Sequence, residues 1–217
     1  MSHIVVIGGT GYAGSAIVAE AVSRGHDVTA FSRSVPTDPV EGANYIQGDA
    51  TDDAVLASVI SGADVVVAAL APRGPLLETF RTVYRTISRL ADQENARLFI
   101  VGGFSTLRPA PGAPRFIQDP SHISHAPEEI QREVLAGAAV IIEDLPTTPE
   151  TLNWVFVSPA AQFGSFAPGE ALGEYRLGDD VAVHPEGGAI SAPDYAIGLV
   201  DLIEQEGHHR AHVNLAH

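Results

Sequence analysis

An apolar run that ends in closely spaced glycines, residues 4–14, constrains the fold of this chain more than any other stretch. The β-branched residues 4–7 are typical of a buried parallel strand. The pattern Gly9-x-Gly11-x-x-Gly14 permits a tight turn and lets backbone N–H groups approach a pyrophosphate. An apolar period over 15–24 predicts a helix whose positive N-terminal end would face that anion. Strand, glycine turn and helix together predict a dinucleotide-binding corner; the alternative is a glycine turn that only joins two elements.

Length and composition fit a single α/β domain over residues 1–217. The net charge of −15 argues against nucleic acid or an anionic membrane surface as the main partner, because both are polyanions. The absence of cysteine excludes disulfides and a thiolate nucleophile. The N-terminus resembles no leader and no apolar stretch reaches membrane-spanning length, which predicts a cytoplasmic protein without a membrane partner. All twelve basic residues are arginine, so Schiff-base lysine chemistry and a Tyr-x-x-x-Lys pair are excluded.

Strand and helix patterns alternate along the chain. Further strands are predicted at 27–31, 44–47, 63–70, 97–101 and 152–157, and further helices at 52–62, 76–95 and 128–144. The alternation predicts a Rossmann-type, doubly wound, mostly parallel sheet with helices on both faces. The last quarter is predicted to be a small C-terminal appendage on the substrate side. It would hold an irregular strand pair within 173–184, a helix ending at Ile203 and a terminal edge strand at 211–215.

The residues that follow the strands predict the cofactor, because ligands of open α/β sheets bind at the carboxyl edge. The second strand delivers Ser32 and Arg33 where NAD-specific folds carry an acidic residue, and an arginine can pair with a 2′-phosphate. We therefore predict NADP, with NAD as the other possibility and a merely solvated Arg33 as the alternative. Asp49 is predicted either to contact adenine or to form a turn. The predicted cofactor-binding residues are Gly8, Thr10, Gly11, Tyr12, Ala13, Gly14, Ser32, Arg33, Asp49, Ala50, Leu70, Ala71, Pro72, Gly102, Ser158, Pro159 and Ala160.

The histidines are predicted to be solvated, and no metal is expected. His122 and His125 lie in a long Pro-rich segment, 108–127, which is predicted to be a lid, a binding loop or disordered. No carboxylate or third ligand clusters with them in the sequence. The remaining histidines that could suggest a metal site are expected at an exposed chain end: His208, His209, His212 and His217.

Two predictions concern the hydrophobic core. Tyr84 is assigned to the core, and the helix at 128–144 is expected to bury Ile130, Val134, Ala138 and Ile141.

Six segments together resemble a known family: 7–14, 48–52, 101–103, 154–160, 175–178 and 190–196. In this order they are similar to the atypical short-chain dehydrogenases known as NAD(P)H-binding proteins or NADH-flavin reductases. NmrA-like and biliverdin reductase B-like proteins are wider relatives of that group, and Gly8-x-x-Gly11-x-x-Gly14 is the short-chain dehydrogenase spacing. The resemblance spans essentially the whole chain. It implies NADP bound across the carboxyl edge of a Rossmann sheet, and it specifies the fold and cofactor more than the substrate.

The missing lysine is a departure from ordinary short-chain dehydrogenases, which use a Tyr–Lys pair on alcohols and carbonyls. We therefore expect hydride transfer to a planar conjugated small molecule such as a flavin (FMN or FAD), a quinone or a similar acceptor, with a proton from solvent. Ser105 stands where the family places its substrate-side serine and is the candidate catalytic residue; an ordinary loop serine is the alternative. The expected apolar wall is Phe104, Pro159, Phe163 and Phe166.

Two other functions are considered for the same fold. A non-catalytic NAD(P)-sensing protein would pass the redox state to a protein partner, and it would also explain the lack of a recognisable proton donor. An isomerase or dehydratase of a nucleotide sugar fits poorly without the Tyr–Lys pair. The sequence leaves the oligomeric state open, with a homodimer as one candidate.

Overall fold

The computed structural model describes residues 1–205 and 207–217, which form an eight-stranded sheet. Its strands are β1 (His3–Ile7), β2 (Asp27–Ser32), β3 (Ala43–Gln47), β4 (Val65–Ala68), β5 (Arg97–Val101), β6 (Trp154–Pro159), β7 (Arg176–Gly178) and β8 (Ala211–Ala216). Their order is β3-β2-β1-β4-β5-β6-β8-β7. All neighbours are parallel except β7, which runs antiparallel to β8. The order reverses direction between β1 and β4, which is the switch point of a Rossmann-type sheet.

Five α-helices of the described chain cover the two faces of the sheet. They are α1 (Tyr12–Ser23), α2 (Asp53–Ile60), α3 (Phe80–Gln93), α4 (Glu128–Ala139) and α5 (Ala192–Glu204). Alternate strand residues separate into two cores: Val5 and Ile7 pack with α2 and α3, whereas Ile4 and Val6 pack with α1 and α5. Because both faces of the central strands are buried, these strands are apolar throughout. The predicted doubly wound α/β fold is confirmed.

Several element boundaries follow local signals. Asp52 begins α2, because its Oδ1 accepts the N–H groups of Ala54 and Val55 at 2.9 and 3.2 Å. The predicted helix at 76–95 begins only at Phe80, after a 3₁₀ turn at Gly74–Leu76. The predicted helix at 128–144 ends in a π-helical turn, Val140–Asp144.

Three structural predictions are wrong in detail. Within 173–184 only β7 forms, and it pairs with β8 instead of a neighbouring segment. The predicted edge strand at 211–215 lies between β6 and β7, so β8 is not an edge strand. Ile130 is 40% exposed, because the hydrophobic core begins farther along α4, at Ala136.

Candidate functional site

The turn between β1 and α1 presents free N–H groups to a cavity. Gly8 has a φ of +89°, and a Cβ there would lie 2.6 Å from the Ala69 carbonyl oxygen, so glycine is required. Gly11 is the N-cap of α1, and no side chain caps this helix. The Ser15 N–H donates to the Gly11 carbonyl, which leaves the N–H groups of Tyr12 and Ala13 without a helical acceptor. This end of α1 therefore offers a site for an anion.

The motif glycines Gly11 and Gly14 have different roles. A Cβ on Gly14 would lie 2.1 Å from the Gly8 carbonyl oxygen, so Gly14 allows α1 to pack against the turn. Gly11 lines the cavity, and a Cβ there would meet only the Gly8 oxygen, at 3.2 Å. The absent side chain at Gly11 thus leaves space for a ligand, whereas the absent side chain at Gly14 serves the fold.

The cavity of about 960 Å³ runs along the carboxyl edge of the sheet, within the usual size of a ligand site. It brings together most of the predicted site residues: Gly8, Thr10, Gly11, Tyr12, Ala13, Ser32, Arg33, Asp49, Ala50, Leu70, Ala71, Pro72, Gly102 and Ser105. Their contact with a cofactor stays a prediction. Their position at one edge of the sheet makes a shared ligand physically feasible.

Four predicted cofactor-binding residues do not line this cavity: Gly14, Ser158, Pro159 and Ala160. The sequence placed the end of the sixth strand at residue 157, but β6 continues to Pro159. Ser158 and Pro159 therefore remain inside the sheet, paired with β8. Within β6 the cavity is lined by Phe156, and after β6 the chain lines it at Ala161 and at residues 163–166.

Arg33 and Asp49 lie at the β2 and β3 end of the cavity. Asp49 Oδ1 accepts the N–H and the hydroxyl of Thr51, both at 2.9 Å, which is the turn-forming alternative. These hydrogen bonds, and then the Arg33 cation, lower the pKa of Asp49. Within 1–205 and 207–217, the exposed Arg33 guanidinium has no hydrogen-bond or ion-pair partner. A cation without such a partner at this strand end can receive a phosphate.

Ser105 lies at the opposite end of the cavity, in the 3₁₀ turn Phe104–Thr106 that follows β5. Its Oγ is 3.1 Å from Nε2 of His122, a contact that was not predicted, although His122 is exposed to solvent as expected. His125 is exposed and has no hydrogen-bond partner in the described part of the chain. The segment 108–127 is ordered by 3₁₀ turns at Phe116–Gln118 and Pro120–His122.

A hydrogen-bond chain behind Ser105 starts from His212 of β8. Burial, and then the Arg115 cation, lowers the pKa of His212 to about 3, so its ring is neutral. Arg115 Nη1 donates to His212 Nδ1 at 2.9 Å, which requires the proton of the neutral ring to be on Nε2. Nε2–H then donates to Ser158 Oγ at 2.8 Å, and the chain continues through Thr106 Oγ1 at 2.9 Å to the Gly103 carbonyl at 2.7 Å.

The expectation of an exposed histidine-rich end holds only for His209 of the four residues, because His208, His212 and His217 are half-buried. His212 belongs to an inner strand, and His217 Nε2 lies 2.8 Å from the fully buried Asp194 carboxylate. No local pattern indicates these contacts, because Ser158 and Asp194 are distant in the chain from the histidines that they contact.

Helix α4 forms a cavity wall that the sequence analysis missed. The lining residues there are Glu133, Val134, Gly137 and Ala138, followed by Val140 of the π-helical turn. Glu133 accepts a hydrogen bond from Arg73 Nε at 3.2 Å, and a Cβ on Gly137 would meet no atom within 4 Å. A glycine within a helix costs about 1 kcal/mol relative to alanine. The glycine at position 137 was therefore the sequence feature that could have indicated a ligand-facing wall.

The expected apolar wall is largely present. Phe104, Phe163 and Phe166 line the cavity, whereas Pro159 does not. Phe163 packs edge-on against Tyr12, with ring centroids 5.2 Å apart. Tyr84 is buried, as predicted, and its hydroxyl donates to the Leu70 carbonyl at 3.1 Å.

Two negative findings apply to residues 1–205 and 207–217. No group of three His, Cys, Asp or Glu side chains is arranged to hold a metal ion. None of the helices combines the length and apolar character that crossing a membrane requires.

Comparison with known proteins gives relatives over the whole chain. The uncharacterised protein YwnB of Bacillus subtilis is 33% identical over 215 residues, covering 94% of this chain and 93% of YwnB. A candidate NADH-flavin reductase from Streptococcus pneumoniae has a TM-score of 0.81 at 32% identity, covering 100% of this chain and 99% of its own. A candidate epimerase from Bacteroides thetaiotaomicron has a TM-score of 0.83 at 31% identity, covering 100% and 97%.

The family comparison agrees with the cavity geometry. Residues 8–206 match a family described as NAD(P)H-binding. This match, together with the reductase among the relatives, supports a general oxidoreductase role. The chain belongs to the NAD(P)H-binding family.

Proposed function

We propose that this protein is an NAD(P)H-dependent oxidoreductase that transfers a hydride to a planar conjugated acceptor such as a flavin or quinone, with NADPH preferred. The single observation that carries the proposal is the contrast between the residues that line the two ends of one cavity. Its β1–β2 end has an uncapped helix N-terminus and Arg33, and its other end has Ser105 beside aromatic side chains. The first end suits a charged dinucleotide, and the second suits an apolar ring.

The residues of the chain fit the proposed cofactor. The N–H groups of Tyr12 and Ala13 would bind the pyrophosphate, in the space that Gly11 leaves open. Arg33 would pair with the 2′-phosphate that distinguishes NADPH from NADH. When bound, the nicotinamide supplies the hydride. The protein's own contribution is to bind and orient the two reactants.

The tyrosines support an acceptor other than an ordinary alcohol or carbonyl. Tyr84 lines the cavity, but burial raises its pKa and its hydroxyl is bonded to the Leu70 carbonyl. Burial also raises the pKa of Tyr195 well above its ordinary value. With no lysine in the chain, neither tyrosine can have its pKa lowered by a neighbouring ammonium group. The aromatic wall of Phe104, Phe163 and Phe166 instead favours stacking on a planar acceptor.

The test is a panel of FMN, FAD and quinones, each mixed with NADPH or NADH while the nicotinamide absorbance is followed. We expect turnover with at least one acceptor class and a higher kcat/KM with NADPH. Calorimetric titration of both nucleotides would run in parallel. Tight binding with no turnover across the panel would support the NAD(P)-sensing alternative, and no binding would refute both functions.

A further inference from the structure

Ser105 and His122 form a pair that connects the cavity with the protein surface. Ser105 lines the cavity, whereas His122 is exposed, and Ser105 Oγ is 3.1 Å from His122 Nε2. Ser105 follows β5, and Arg33 follows β2, three strands away in the sheet. That separation is about 14 Å at the usual strand spacing. Ser105 therefore lies at the acceptor end of the proposed site and not at its phosphate end.

The His122 ring is held in place by aromatic contacts. It stacks on Phe116, with ring centroids 5.1 Å apart and planes 22° apart, and Phe116 stacks on Phe104 at 4.8 Å. Asp119 begins the 3₁₀ turn that carries His122, through a hydrogen bond from the Ser121 N–H. A ring fixed in this way keeps Nε2 directed at Ser105.

Two charged groups lie on the elements packed around this ring. The first is Asp119. Hydrogen bonds from Ser121, and to a smaller extent the nearby His122, lower the pKa of its carboxyl. Arg115, ahead of the Phe116 turn, donates instead to the Thr106 carbonyl and lies 3.4 Å from Asp180.

We propose that Ser105 is the catalytic residue that protonates the acceptor, and that His122 is a positioning residue that returns the proton to Ser105 from solvent. This inference rests on the proposed function. The acceptor receives a hydride from the bound cofactor, which is thereby oxidised by two electrons. The Ser105 O–H bond breaks as its proton passes to an oxygen or nitrogen of the acceptor. The Nε2–H bond of the His122 imidazolium breaks as that proton passes to Ser105 Oγ, which leaves a neutral imidazole, and this exposed ring regains a proton from water.

A serine without such a partner would be a poor proton donor, because its hydroxyl at its ordinary pKa releases a proton poorly. An imidazole hydrogen-bonded to that hydroxyl makes the transfer feasible. Proton transfer by a positioned side chain typically contributes about 10²- to 10⁴-fold to the rate. Among the side chains assigned above to the acceptor end, Ser105 alone has a hydroxyl hydrogen-bonded to an exposed titratable group.

The experiment compares Ser105→Ala, His122→Gln and the double variant with wild type. The matched control is His125→Gln, since His125 is exposed on the same loop without a hydrogen-bond partner in the described chain. With NADPH and a quinone, both single variants are expected to lose about 10²-fold in kcat, and the double variant about the same, because the two residues act as a unit. In wild type, kcat is expected to fall toward alkaline pH, and this dependence should disappear in His122→Gln.

Two readouts do not depend on turnover. The dissociation constant for NADPH is expected to stay within about threefold of wild type in every variant, which shows that the fold is intact. In NMR spectra of the protein without cofactor, Ser105→Ala should shift the ring signals of His122 and leave those of His125 in place.

The failures can be told apart. If wild type reduces no acceptor, the proposed function is refuted and this inference with it. If wild type is active but the variants keep its kcat and pH profile, only the Ser105–His122 inference is refuted. Ring signals of His122 that do not respond to Ser105→Ala would likewise contradict the pairing.

Discussion

At the scale of single residues, we predict that Arg33 sets the preference of the proposed site for NADPH over NADH. Its guanidinium has no ion-pair partner within the described residues, so it can bind a 2′-phosphate without breaking an existing contact. Arg33→Ala is expected to weaken NADPH binding by about 10- to 100-fold, the value of one or two charge-assisted hydrogen bonds. NADH, which lacks that phosphate, should change by less than about threefold. Calorimetry measures both.

The control for Arg33→Ala is Arg176→Ala. Arg176 is also exposed, lies on β7 and does not line the cavity. It should affect neither nucleotide. Equal weakening of NADPH and NADH by Arg33→Ala would contradict the proposed phosphate contact.

Two glycines of one motif give a second prediction at the residue scale. Gly11→Ala should weaken nucleotide binding by at least about 10-fold, since its methyl group would occupy ligand space, and should change the free energy of unfolding by no more than about 1 kcal/mol. Gly14→Ala should instead destabilise the fold by about 1–3 kcal/mol or more, because its Cβ would lie 2.1 Å from a backbone oxygen. Urea denaturation and calorimetry separate the effects. A stable Gly14→Ala variant would contradict this assignment.

At the scale of elements, β8 is connected to the turn after β5 by the hydrogen bonds of His212, Ser158 and Thr106. The unfolded chain binds a proton at His212 below about pH 6.5, whereas the folded chain does so only near pH 3. The unfolded state therefore gains stability as the pH falls through this window, and folding stability decreases by up to about 1.4 kcal/mol per pH unit from this group.

The measurement is the free energy of unfolding by urea at several pH values between 6.5 and 5, for wild type and His212→Gln. Carboxylates contribute equally to both proteins, so their difference isolates His212. The wild-type slope should exceed that of the variant, while His209→Gln, at an exposed position, should retain the wild-type slope. Parallel slopes for wild type and His212→Gln would refute the neutral buried ring.

The parts of the elements that sequence reasoning could predict are those determined by nearby residues. The β1 strand, the glycine turn that follows it and the helix that begins after residue 52 are each indicated by residues a few positions apart, and all were predicted. The pairing of β7 with β8 depends on residues far apart in the chain and was missed.

In the candidate site, too, the sequence could predict the features set by nearby residues but not those set by distant residues. The residues that directly follow strands were predicted to line it, because each strand end is recognisable by itself. The α4 wall, the Ser105–His122 contact and the His212–Ser158 contact were not, since the last two join residues 17 and 54 positions apart. Periodicity shows that a helix has a buried face but does not show which part of that face borders a cavity.

At the scale of the whole molecule, nucleotide binding should raise the resistance of the entire chain to heat. The cavity is bordered by residues that follow β1 through β5 and by α4, so a bound dinucleotide would contact elements that separate on unfolding. A ligand that binds only the folded state at 100 times its dissociation constant adds about 2.7 kcal/mol to stability. For a chain of this size, that corresponds to a rise in Tm of roughly 5–10 °C. Thermal unfolding with NADPH should show this rise, and Arg33→Ala should reduce it for NADPH but not for NADH. A Tm unchanged by both nucleotides at millimolar concentration would contradict the site itself, since the linkage requires only binding and no reaction.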